Sequence, residues 1–293
     1  MAKCLIMLLE EWKFLGRYFS YKEHSIFFIE SGSGKSLLLL HGYPTASRDF
    51  SKIIPSLQQR FHIIAPDFLG FGFSDKPNDY PYSIPDQADW VEHLLAHLQV
   101  KTVHIVAHDY AVSVTQELLA RQGQSHDRDF IIQSIVFLNG GLFPETHRPR
   151  TIQKLLHGPL GFLVVKLMNY KRFKRSFSGL FGLATQPTEA DFLEFWSLIT
   201  HKNGHTISHK LLHYMADRKV HRDRWVKAMQ QTNVPMLLIN GNSDPVSGLQ
   251  LARRFEELMP NATIIHLKEI GHYPQWEAPK AVVQGVLDFF SKL

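Results

Sequence analysis

The chain has 293 residues, 44% of them hydrophobic and 20% charged, with a formal net charge of +5. This is an ordinary globular composition, long enough for one domain with a large insertion or for two. No stretch approaches the ~18 apolar residues of a spanning helix, and the single cysteine, Cys4, excludes an internal disulfide and points to a reducing, cytoplasmic setting.

In chain order, residues 1–16 read as a short helix or tail. Cys4 to Leu9 is apolar, but Glu10 and Glu11 stop it short of a signal-peptide core, and no small-residue cleavage site follows. Tyr18 to Tyr21 and Ile26 to Ile29 form a hairpin pattern. Gly34-Lys35-Ser36 suggests a phosphate loop, yet that motif needs glycine where Ile29 stands, and a strand, Leu37 to Leu40, follows instead of a helix. The strand runs into His41-Gly42-Tyr43-Pro44, where the Tyr43 N–H is free to point above a sheet. A helix from about Ser47 to Gln59 and a strand, His62 to Pro66, come next. The loop Asp67 to Pro77 contains Gly70-x-Gly72 but lacks the third glycine of a dinucleotide fingerprint. Ile84 to Leu98 is an amphipathic helix. Its His93 and His97 lie four apart, but Leu94 stands where a zinc protease needs glutamate, so no metal site is expected.

Thr102 to Ala111 organises the rest. Val103, Ile105 and Val106 suit a strand buried on both faces. It ends at Asp109, flanked by the small residues Ala107 and Ala111, and a helix from Val112 to Arg121 follows, with Gly123 as its stop. A polar residue on a sharp turn from buried strand to helix is the pattern of a nucleophile elbow. An aspartate with a pKa near ~3.9 is already ionised at neutral pH and needs no base to attack. Its targets are strained or polarised sp3 carbons, and the product is an alkyl ester that water must then cleave. The N–H groups of Tyr43 and Tyr110 are the candidate oxyanion hole.

A further strand spans Gln133 to Leu138, so strands and helices alternate from Leu37 to Leu138, as in a parallel sheet covered on both faces. Ligand sites in such sheets lie beyond the carboxyl ends of strands. His41, Asp109 and Asn139 fall at such ends, and His41 is a candidate substrate contact. After Gly140-Gly141 only helical patterns appear until Ala228. The expected division is a sheet domain of residues 1–142 and 229–293 with a helical cap of 143–228. Between Glu145 and Lys227 there are 15 Lys and Arg against 6 Asp and Glu. This basic stretch, densest at Lys171 to Arg175, is open to three readings, a solvated helix face, an acidic substrate or peripheral contact with an anionic membrane; no nucleic-acid module is visible. Alternation resumes with a strand, Val234 to Ile239, a helix, Gly248 to Leu258, a strand, Thr263 to Leu267, and a helix, Pro279 to Phe290. The loops after these two strands present Asp244 and His272. Asp109, Asp244 and His272 stand in the order nucleophile, acid, base. His272 would take a proton from water across a water-sized gap to Asp109, and Asp244 would orient its ring.

At His41-Gly42-Tyr43-Pro44, Gly70-Phe71-Gly72-Phe73-Ser74, His108-Asp109 and Gly271-His272 the chain resembles the α/β-hydrolases, in the branch of epoxide hydrolases and haloalkane dehalogenases. Asp67 to Pro77, Gly140 to Pro149 and Gly271 to Pro279 are similar to the mesoderm-specific transcript proteins. The resemblance implies a cofactor-free hydrolase acting on a small apolar molecule with an electrophilic carbon. Dehalogenases hold the leaving halide with a tryptophan after the nucleophile; Tyr110 stands there, which favours epoxide opening. Epoxide hydrolases protonate the opened ring with cap tyrosines, and Tyr214 and Tyr170 are the candidates, with Trp196 as a further pocket residue. Dehalogenation and a non-catalytic binding module are the alternatives.

Overall fold

Every residue of Leu37 to Leu40 is fully buried, because the strand carrying them lies inside a sheet covered on both sides. The computed structural model describes residues 2–124 and 129–293, with side chains from residue 9 onward; the side chain of Cys4 lies outside the described residues. Eight strands form one sheet: β1 (Gly16–Tyr21), β2 (His24–Ser31), β3 (Lys35–Leu40), β4 (Phe61–Pro66), β5 (Thr102–Asp109), β6 (Ile131–Gly140), β7 (Met236–Gly241) and β8 (Thr263–Leu267). Their order is β1-β2-β4-β3-β5-β6-β7-β8. Pairing is antiparallel from β1 to β2 and from β2 to β4, and parallel at every other junction. The chain runs from β3 outward to β4 and then returns to β5 on the other side of β3. The crevice beyond the ends of β3 and β5 is therefore the topological switch point, where such sheets hold ligands.

Side chains alternate between two cores. Leu38, Leu40, Ile105 and Phe137 pack on one face with the helices Ile84–His97 and Tyr110–Gln124. Leu37, Leu39, Val106 and Val136 pack on the other with Leu9, Trp12 and the helix Pro279–Phe290. Period-two alternation in a buried strand requires this division.

Three sequence expectations are corrected. The helix expected over Ser47 to Gln59 is broken into a 3-10 turn, Ser47–Phe50, and a short helix, Ile54–Leu57, because Pro55 has no N–H to continue the first turn and sits at the start of the second. Gly123 does not end the elbow helix, which includes it and reaches Gln124; a Cβ there would meet nothing within 4 Å. The boundary expected at residue 228 falls inside the helix Arg222–Gln231.

That helix is fastened to the elbow helix by Glu117. The carboxylate accepts from Arg121 Nε at 2.8 Å, from Trp225 Nε1 at 2.7 Å and from Arg224. Burial alone would raise its pKa; the Arg224, Trp225 and Arg121 donors hold it down at about 2. A carboxylate with a depressed folded pKa contributes stability that is complete above its unfolded value and is lost as pH falls toward the folded value. Glu117→Gln should therefore cost about 1–2 kcal/mol at pH 7, a figure discounted for the solvent that reaches Arg224, and much less at pH 3. Urea unfolding at the two pH values checks this; equal losses at both would show that the charge contributes nothing.

Candidate active site

Asp109 ends β5 with φ +47°, in the left-handed region, and the helix begins at the next residue. A non-glycine residue held there is strained by about 1–3 kcal/mol, so its surroundings must hold it. They do so from three sides. A Cβ on Gly42 would come within 2.7 Å of the Asp109 Cβ, and one on Gly140 within 2.9 Å of the Asp109 Cα. Arg218, buried at 2% exposure, donates from Nη2 to the Asp109 carbonyl at 2.9 Å and from Nε to Ser113 Oγ at 2.7 Å. Gly141 is a glycine for the same reason: a Cβ would lie 2.1 Å from Arg218 Nη1.

The carboxylate of Asp109 is held asymmetrically. The Tyr43 N–H donates to Oδ1 at 3.0 Å, while Oδ2 faces His272 Nε2 at 3.5 Å. That separation is an ion-pair contact, too short to admit the water the sequence reading expected between them. Any water must approach from the cavity side. On its other edge His272 Nδ1–H donates to Asp244 Oδ2 at 2.7 Å. Asp244 also accepts from Asn139 Nδ2 at 2.9 Å, Ser247 Oγ at 2.6 Å and the Val246 N–H at 2.7 Å. Asp109, His272 and Asp244, distant in sequence, thus converge at three strand ends.

The electrostatics follow from burial and pairing. Burial would lower the His272 pKa, but Asp244 and Asp109 on either side raise it to about 10. Burial would raise the Asp109 carboxyl, but the His272 imidazolium, with Arg218 behind it, holds it well below the usual range. His272 therefore carries its proton through neutral pH while both carboxylates are charged.

Two other histidines brace the site and are neutral, their pKa lowered to about 3 by burial. His108 Nε2–H donates to the His272 carbonyl at 2.8 Å. His41 donates from Nδ1 to the Gly42 carbonyl and accepts the Phe68 N–H at Nε2, both at 2.9 Å. His41 is thus a brace between the turns after β3 and β4 and does not line the cavity, contrary to its expected role as a substrate contact. The backbone N–H of Tyr110 sits in the first turn of its helix, where N–H groups have no intrahelical acceptor.

A cavity of about 290 Å³ lies above Asp109 and His272. Tyr43, Pro44 and Val246 complete its floor, and the helices between β6 and β7 supply its roof, mostly apolar. The other aromatic candidates lie elsewhere. Tyr214 is fully buried among Tyr43, Tyr110 and Arg218, its hydroxyl without an acceptor among the described residues, and it is not part of the cavity lining. Tyr170 donates to Glu189 at 2.5 Å, and Trp196 packs on Phe173 and faces His205. Spacing in a helix identifies an apolar face but not which of two apolar neighbours it meets. Sequence reasoning also missed Arg218, which reads as one more cation in a basic stretch, and left Asn139 and His108 without roles. Among the described residues no group of His, Cys, Asp and Glu could hold a metal ion, and no helix is long and apolar enough to cross a membrane.

The family model for the alpha/beta hydrolase fold matches residues 35–279. The chain belongs to the α/β-hydrolase fold family. It is 40% identical over 294 aligned residues to the mesoderm-specific transcript protein of Mus musculus, covering 97% of this chain and 88% of that one. Among solved structures it is similar to haloalkane dehalogenase DbeA from Bradyrhizobium elkani, with a TM-score of 0.80, 21% identity and coverage of 94% and 97%. Epoxide hydrolase CorEH is also similar, with a TM-score of 0.77, 20% identity and coverage of 94% and 98%. At these identities the structural likeness concerns the fold.

The pairing of His272 with two carboxylates has a measurable consequence. An imidazolium should persist to above pH 9 in the intact protein, seen by NMR of its ring nitrogens. In Asp109→Asn, with one carboxylate gone, it should titrate at a distinctly lower pH. Titration near the ordinary histidine value in both proteins would contradict the ion pair.

Proposed function

We propose that this α/β-hydrolase acts through a covalent alkyl ester on Asp109 and that its substrate class is epoxides. The observation that carries the reading is the asymmetric hold on the carboxylate: Oδ1 is tied to the Tyr43 N–H while Oδ2 lies beside His272 Nε2, and Asp109 and His272 both line the cavity. Oδ2 attacks a ring carbon, a C–O bond of the ring breaks, and the electron pair passes to the ring oxygen. That alkoxide needs a proton. Attack has just neutralised one of the two carboxylates that kept His272 charged, so its Nε2 proton becomes more acidic and is the one transferred. The imidazole left behind is neutral and ready to take a proton from water. Hydroxide then adds to the ester carbon, the new oxyanion forms on Oδ1 against the Tyr43 N–H, and collapse releases a diol and restores Asp109.

A haloalkane fits the same nucleophile and is the alternative reading. It departs as halide and needs no proton, so it would leave His272 charged and unable to act as base until solvent took the proton. Among the described residues no tryptophan lines the cavity to hold a halide; Trp196 lies elsewhere.

His272→Gln should accumulate the Asp109 adduct, because hydrolysis then has no base and slows by roughly 10²–10⁴-fold or more. Intact-protein mass spectrometry distinguishes the classes. An epoxide adds its whole mass; a haloalkane adds its mass less hydrogen halide. Turnover by the wild type with no adduct on the variant for any class would exclude Asp109 as the nucleophile.

We also propose peripheral contact with an anionic bilayer through residues 154–166. Leu160, Phe162 and Leu163 are 60%, 50% and 44% exposed, and Lys154 and Lys166 flank them, exposed as well. Apolar side chains beside cations suit a surface that offers acyl chains under anionic headgroups. The protein should co-sediment with phosphatidylcholine vesicles containing phosphatidylserine and not with phosphatidylcholine alone. Replacing the three apolar residues with serine should abolish binding; unchanged sedimentation of that variant would refute the contact.

A further inference from the structure

The roof of the cavity holds two cations that opening an apolar epoxide does not call for. Arg150 and Arg172 both line it, among apolar neighbours such as Ile152, Leu156, Met168 and Phe177. Each guanidinium is held by one backbone carbonyl: Arg150 Nη1 donates to Gly179 at 2.8 Å and Arg172 Nη1 to Leu167 at 2.5 Å. A guanidinium has five N–H donors, so each keeps others for a ligand. Neither pairs with a carboxylate among the described residues. Both head groups reach solvent, so they cost little there, but they place free charged donors at the edge of an otherwise apolar lining, which leucine or methionine would not.

We infer that the substrate is an anionic amphipath: an apolar chain with a carboxylate or phosphate at the end remote from the reacting carbon. Arg150 and Arg172 bind the anion, and the apolar lining takes the chain. Asp109 and His272 meet the electrophilic carbon at the other end of the same cavity. Arg172 is exposed and Arg150 half-buried, so the anion stays at the mouth, partly hydrated, and only the chain is desolvated. A cavity of about 290 Å³ is at the small end of ligand pockets, which fits a single chain of about twelve carbons and not a two-chain lipid. This inference deepens the Asp109 reading and rests on it for the position of the reacting carbon, but anion recognition can be measured without any reaction.

The test uses three unreactive probes of one chain length, dodecanoate, dodecyl phosphate and dodecanol, titrated calorimetrically into the 293-residue protein. One or both anions should bind at least ~10-fold more tightly than the alcohol, the scale of a charge-assisted hydrogen-bond pair. Whichever anion wins identifies the headgroup. Arg150→Gln/Arg172→Gln should lose that margin and leave dodecanol affinity unchanged. Arg150→Lys/Arg172→Lys, which keeps the charge, should retain most of it. Equal binding of anions and alcohol by the wild type would overturn the inference. So would a margin that survives in the glutamine variant. Because no probe reacts, failure of the ester-trapping experiment would leave this result standing, and failure here would leave Asp109 chemistry intact for a neutral substrate.

Discussion

The left-handed backbone at Asp109 is the constraint on which the site depends. A strand that turned into its helix by a relaxed path would carry the carboxylate away from the crevice. The positive φ aims it upward, and the strain is offset by contacts that have no other evident use: the Arg218 donor on the Asp109 carbonyl and the missing side chains of Gly42, Gly140 and Gly141. Arg218 comes from the helical insertion, so the elbow is held partly from outside the sheet. The sheet supplies the strand end, and the insertion supplies the group that clamps it.

A second dependence is electrostatic. Two carboxylates and one imidazole are removed from water, and a lone buried charge would be costly. His272 between Asp244 and Asp109 satisfies all three only while both acids are ionised. The four donors around Asp244, Asn139 and Ser247 among them, secure one side of this arrangement permanently. The Asp109 side has one hydrogen bond and one longer contact, and it is the side that chemistry can alter. Neutralising Asp109 shifts the proton affinity of His272 without moving Asp244. A symmetric arrangement would lack that directionality.

Much of this was legible in the sequence because parallel strands buried on both faces write themselves as β-branched or leucine runs, and β3, β5 and β7 all carry such runs, while the edge strand β8 is marked only by Ile264 and Ile265. The convergence of Asp109, Asp244 and His272 was legible for a related reason. Strand ends of one parallel sheet share an edge, so residues just past them are neighbours whatever their sequence separation. The roof was not legible. Tyr170, Trp196 and Tyr214 sit on helices whose periodicity says they are inward, yet inward includes the far side of an aromatic cluster, of which only Phe173 and Phe177 reach the cavity, and the space around Arg218. Arg218 itself gives no signal, since buried and solvated arginines have the same neighbours in sequence.

The difference between floor and roof also has an energetic basis. The helices that roof the cavity are short; Thr151–His157 has 7 residues and Tyr170–Ser178 has 9. Helices of this length are not stable alone in water, so tertiary contacts set their positions. The segment that follows the second of them is fastened to the loop that carries His272. Its N–H donates to the Leu180 carbonyl at 2.8 Å, and Glu277 accepts from the N–H groups of Gly182 at 2.8 Å and Gly271 at 2.9 Å. Gly271 has no room for a side chain because the 180–182 segment lies against it. The base and the roof are therefore one packed unit. A change in the roof that altered the cavity would also press on the position of His272. Arg150, which donates to the Gly179 carbonyl beside the 180–182 segment, belongs to that unit, whereas Arg172 donates to the Leu167 carbonyl outside it, so the lining can change at Arg172 with less effect on the geometry at Asp109.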